Sequence, residues 1–140
     1  MDIIRRVQER AQGLTETEAA DLVRNVMYSL SQVMDRPDRE RLAKRLPAEL
    51  AQHLRSDVEF ADPLVDEQLF VGPVVNDLAT EGLYDQTLGG LDVLAVSAGD
   101  EATRRLQAVF AALKDLLDEK ERERLASLLP GDVADWYQNA

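Results

Sequence analysis

The first place to look for chemistry is a row of carboxylates. Asp77, Glu81 and Asp85 recur every four residues, so a continuous helix would align them on one face. Asp62 and Asp66 repeat the spacing upstream. Such a row repels itself, and a divalent cation taking oxygen ligands, or a basic partner, would relieve the repulsion. The pattern falls short of a metal site: Gly82 lies inside the spacing, and no calcium loop with alternating oxygens is present. A di-iron helical bundle needs Glu-x-x-His motifs on two helices, and His53 is the only histidine. We therefore name no metal ligand. These five carboxylates are the candidate contacts for a basic partner, against the plainer alternative of a solvated acidic face.

Catalysis finds little support. A Ser-His-acid triad would have to use His53, yet no Gly-x-Ser-x-Gly elbow occurs. Neither Gly-x-x-x-x-Gly-Lys-Ser/Thr nor Gly-x-Gly-x-x-Gly is present to cradle a phosphate. With no cysteine, disulfides and thiolate-ligated zinc or iron–sulfur sites are excluded. The expectation is a protein without catalytic residues or cofactor.

Two further groups could make contacts. Arg36, Arg39, Arg41, Lys44 and Arg45 form the one dense basic cluster, interleaved with Asp35, Asp38 and Glu40. Ion pairs within a helix or between halves of the chain account for most of it, each contributing little. Arg36 and Arg39 remain candidates for docking on the acidic middle of a neighbouring subunit. Trp136 and Tyr137 are aromatic interface candidates, although core burial of one and partial exposure of the other is the simpler expectation.

The 16 basic and 27 acidic side chains give a net charge of −11, and the chain is 45% apolar and 31% charged, as in globular proteins. Between Arg55 and Arg104 there is no Lys or Arg, and the whole negative excess lies in that middle segment. Phosphate binding needs clustered cations, so nucleic acid is not an expected ligand. No apolar run reaches the about 18 residues of a spanning helix, and the start, Met1 to Arg6, lacks the apolar core of a signal peptide. A cytoplasmic location is expected on that ground.

The elements that must position these residues come from a repeat. Sliding the chain by 83 residues aligns Arg39-Glu40-Arg41-Leu42-Ala43 with Arg122-Glu123-Arg124-Leu125-Ala126, Leu46-Pro47 with Leu129-Pro130, and Ala51 with Ala134. Upstream, Glu18/Glu101, Ala19/Ala102, Val26/Val109, Leu30/Leu113 and Asp35/Asp118 are also identical. Ala19, Leu22, Val23, Val26, Met27, Leu30, Val33 and Met34 follow the helical i, i+3, i+4, i+7 rule, with Thr15 and Glu18 as a capping box. The copy carries the stripe Ala102, Leu106, Val109, Phe110, Leu113, Leu116 and Leu117, with Asp100 as its cap. A short connection follows, Asp35 to Asp38 or Asp118 to Glu121, then a short charged helix. Pro47 and Pro130 then fit the first position of a further helix. An opening helix carries Ile3, Ile4, Val7 and Ala11.

In the middle, Asp62-Pro63 reads as a helix start with Leu64, Val65, Leu69 and Phe70 on one face, and Gly72-Pro73 as its interruption. Val74, Val75, Leu78 and Ala79 restart a helix that Gly82 ends. Gly89-Gly90 marks another break, and Leu91 to Val96 is taken as helix.

This pattern, a helical stripe, a charged short helix, then Leu-Pro and an amphipathic helix, all present twice, resembles the bacterial family called domain of unknown function 2267. The resemblance rests on 18–54 and 101–137. It implies an all-helical two-repeat fold of bacterial origin and no catalytic residues.

The expectation is one all-α domain over 1–140, a helical bundle of two related multi-helix repeats (about 1–55 and 100–140) joined by an acidic segment, about 56–99. Its expected function is a non-catalytic protein–protein interaction or scaffolding module, self-associating or binding a basic partner. The alternative is a sensor or enzyme-like protein holding a small ligand or divalent cation between the repeats.

Overall fold

The computed structural model describes residues 3–11, 13–54, 59–66, 69–74 and 91–140, with side chains of the last stretch from residue 101. Every regular element among them is helical. In order they are α1 (Ile3–Arg10), α2 (Glu16–Gln32), α3 (Arg36–Ala43), α4 (Ala48–Ala51) with the 3₁₀ turn Gln52–Leu54, a helical segment at 69–74, α5 (Leu91–Leu116), α6 (Glu119–Leu128) and α7 (Gly131–Gln138).

α2 begins where its cap chemistry dictates. The Thr15 side chain accepts from the Glu18 amide, and the Glu18 carboxylate accepts from the Thr15 amide at 2.9 Å, so two orphan donors are satisfied reciprocally. Gly13, at φ 94°, makes the turn from α1 in a conformation that glycine tolerates without strain. The predicted stripe of α2 is buried from Ala19 to Met34 and packs on α5, with α1 lying against both. Asp115, near the end of α5, accepts from Arg6 Nη1 at 2.7 Å and Arg10 Nη2 at 2.9 Å, which fastens α1 across the pair. α7 packs on α5, and Phe110 sits in the core between Phe70 (6.2 Å between centroids) and Tyr137 (5.3 Å, edge-on at 79°).

Several boundaries differ from expectation. Asp100 caps nothing: it lies inside α5, which starts at Leu91 and runs through Gly99. A Gly and an Asp inside a long apolar helix lower its propensity by about 1 kcal/mol or less each, which tertiary packing overrides. The connections before α3 and α6 run only over 33–35 and 117–118, so most of the expected Asp35-to-Asp38 and Asp118-to-Glu121 links lie inside the helices that start at Arg36 and Glu119. Pro37 fits because a first-turn amide has no partner to lose. Pro47 and Pro130 stand one position earlier than expected, as N-caps.

The middle departs most. Asp62-Pro63 opens a turn, not a helix: Asp62 Oδ1 accepts from the Leu64 amide at 2.9 Å, which closes a side-chain turn. Helix begins only after Asp66, whose Oδ1 accepts from the Leu69 amide and whose carbonyl accepts from Phe70. Gly72-Pro73 does not interrupt the segment at 69–74. Phe70 and Val74, four residues apart, are both buried there and offset the lost proline donor.

Candidate interaction surface

Residues 59–66 and 69–70 form a strap against the α2–α3 junction. The Arg36 amide donates to the Glu59 carbonyl (2.8 Å), and the Asp62 amide to the Gln32 carbonyl (2.8 Å). Asp35 Oδ1 accepts from the Ala61 amide (2.6 Å), and Ser29 Oγ donates to the Phe70 carbonyl (2.7 Å). Arg36 adds an ion pair with Glu59 at 3.1 Å, and that hydrogen bond raises the guanidinium pKa above its ordinary value. Asp35 caps α3 without a side-chain bond to it, because its carboxylate is turned to the strap.

What the strap presents outward is apolar. Phe60 is 73% exposed, Leu64 78% and Leu69 58%, and Tyr28 on the adjacent α2 is 55% exposed. Between them stand Asp62 and Asp66, both exposed, each with one oxygen engaged by a backbone amide and neither with a cation partner among the described residues. Sequence reasoning placed Leu64, Val65, Leu69 and Phe70 on one face of a helix, of which Phe70 is buried and Leu64 and Leu69 are exposed, and it did not single out Phe60. The signal was available: two Asp turn formers four residues apart, with Pro63 between, leave too short a run to nucleate a helix.

A second constellation joins α3 to α6. Arg41 reaches Glu121 through Nε (3.1 and 3.3 Å) and Nη2 (2.9 Å), Arg45 approaches the same carboxylate at 3.6 Å, and Arg124 pairs with Asp38. Met34, Leu42, Leu125 and Leu128 complete a shallow notch, partly open to solvent. Glu121 is only 4% exposed; its hydrogen bonds from Arg41 hold the carboxyl below the ordinary range, against the opposing push of burial. The bonds from Arg104, helped by Arg105, do the same for Glu101, again against burial. A carboxyl depressed in the folded state stabilises above its ordinary pKa, and loses that stabilisation as pH falls through the folded value. Glu121→Gln should therefore lower stability by about 1 kcal/mol at pH 7. In thermal melts the gap from wild type should narrow below about pH 4.

The other candidates are used by the fold. Arg39 is 4% exposed; its Nη1 donates to the Ser31 carbonyl (3.1 Å) and the Met34 carbonyl (2.9 Å) at the end of α2, and its Nη2 is buried without a partner. Tyr137 is buried, donates to the Arg122 carbonyl at 3.1 Å, and has its hydroxyl pushed up to about 12 by that burial. Trp136 is half-buried against the core, and its carbonyl accepts from Gln107. His53 is half-buried in the 3₁₀ turn. Asp77, Glu81 and Asp85 lie outside the described residues. Among the described residues no three His, Cys, Asp or Glu side chains are grouped to hold a metal, and no helix is long and apolar enough to cross a membrane.

A protein whose described regular elements are all helical, with arginine–carboxylate pairs from α3 to α6 and an exposed apolar strap, is thus the class defined here. The family model described as "Uncharacterized conserved protein (DUF2267)" matches residues 1–136, and the chain belongs to that family. No curated protein and no solved structure matches it.

Proposed function

We propose that this is a non-catalytic interaction or scaffolding module, made of two related helical units packed on one another and docking a protein partner through the strap at 59–66 and 69–70. The observation that carries the reading is the exposure of Phe60 and Leu64, 73% and 78%, on a backbone pinned by hydrogen bonds. Three large apolar side chains held out in water on one short stretch of pinned backbone are the kind of surface that a partner covers.

The two-unit part rests on a reciprocity. Positions 38 and 121 are 83 residues apart, as are 41 and 124. Arg41 pairs with Glu121 while Asp38 pairs with Arg124, the relation expected when two like surfaces meet about a twofold axis. Arg39 reaches the Ser31 carbonyl, and Arg122 reaches the Lys114 carbonyl, again 83 residues on. Leu42/Leu125, Leu46/Leu129, Leu50/Val133 and Leu54/Tyr137 are buried pair by pair. Asp62 and Asp66 belong to the docking surface, and Trp136 stays a secondary contact.

The test is recovery of cross-linked partners by wild type and by Phe60→Ser/Leu64→Ser. The expected result is loss of at least one partner from the variant at unchanged melting temperature. An identical partner set would contradict the reading.

A further inference from the structure

Resting on that interaction reading, we infer that the strap's occupant is a cationic amphipathic helix of another protein. The patch is mixed in chemistry. Phe60, Leu64, Leu69 and Tyr28 supply apolar area, and Asp62 and Asp66 supply negative charge with no cation paired to either among the described residues. A ligand that covers the apolar groups must also bring charge to the carboxylates, because desolvating an unpaired carboxylate is strongly unfavourable. A helix with Leu on one face and Lys or Arg along its edges does both. An extended peptide adding to a sheet is not provided for, since the described residues contain no strand edge.

Charge complementarity also selects among other occupants. The chain carries −11 overall and no Lys or Arg from 56 to 103. A second copy docking strap to strap about a twofold axis would set Asp62 and Asp66 against themselves. Nucleic acid and an anionic lipid surface meet the same repulsion. Four backbone-directed hydrogen bonds hold the strap in place before binding, which lowers the ordering cost of docking.

The experiment titrates the full chain into a fluorescent 18-residue Leu/Lys peptide with Leu at i, i+3, i+4 and i+7, and into a scrambled peptide of the same composition. Proteins are wild type, Phe60→Ser/Leu64→Ser, and Asp62→Asn/Asp66→Asn; asparagine keeps both turn-forming oxygens. Circular dichroism verifies that each is folded. Wild type should bind the amphipathic peptide with about micromolar Kd and the scrambled one about tenfold more weakly. The serine variant should lose about tenfold, and the asparagine variant roughly threefold at low salt, converging on wild type in high salt. Equal affinity for both peptides, or affinity unchanged in the serine variant, overturns the inference. Sedimentation decides the remaining case: a dimer abolished by the serine pair would assign the strap to a second copy and overturn the inference, leaving the interaction reading intact. Partner loss in the pull-down without peptide binding has the same meaning. Neither partner loss nor peptide binding sinks both.

Discussion

Phe110→Ala should lower the free energy of unfolding by about 3–5 kcal/mol, the usual cost of emptying a buried aromatic site. For a domain of this size that is roughly 10–15 °C in melting temperature. Phe110 is fully buried and touches two different parts of the fold at once. Its ring faces Phe70, on the helical segment that ends the strap, and meets Tyr137 of α7 edge-on. Losing it would open a cavity between Phe70, α5 and α7. The strap would then loosen first, because Phe70 and Val74 are its buried anchors. Hydrogen exchange at 69–74 should rise more than exchange in α2. Phe110→Leu, which keeps much of the volume, should cost roughly half as much.

Arg39→Ala comes next, at about 2–4 kcal/mol in chemical denaturation. The Arg39 guanidinium closes the end of α2 by donating to the Ser31 and Met34 carbonyls, where a helix carries its partial negative charge. Truncation leaves both acceptors buried without that donor, and adds a cavity. Arg39→Met separates the two effects: it refills the space without the hydrogen bonds, and should recover part of the loss. Recovery is helped by the buried, unpaired Nη2, whose desolvation the wild type already bears. If methionine recovered nothing, hydrogen bonding alone would explain the cost; if it recovered everything, the carbonyl contacts would contribute nothing net.

Much of the helical layout is legible before any coordinates. Burial periodicity along 19–34 and 102–117 located α2 and the later part of α5, and Thr15 with Glu18 located the start of α2, because caps and stripes are local physics. Asp100 misled for an instructive reason. Asp, like Gly99 beside it, is a helix-boundary residue by propensity, yet α5 continues through both, as propensity is a weak prior against packing. The ion pairs from Arg41 to Glu121 and Asp38 to Arg124 could be anticipated as contacts between halves but not assigned partner by partner. That needs the orientation of α3 on α6, which no local pattern encodes. The exposed strap was hidden because 64–70 was read as one helix face. The turn closed by Asp62 takes Leu64 out of that helix, and Leu69 stands at the described start of the helical segment, next to Asp66, which accepts from its amide.

The chain has no cysteine, so a pair can be introduced cleanly at the facing positions, Asp38→Cys and Arg124→Cys. A short bis-maleimide is added to dilute folded protein, and the digest is read by mass spectrometry. Two related units packed face to face predict a nearly complete bridge within one molecule, absent when the reagent is added in denaturant. Cysteines that are each modified but never bridged in the folded state would contradict the packing of one unit on the other that the proposed architecture requires.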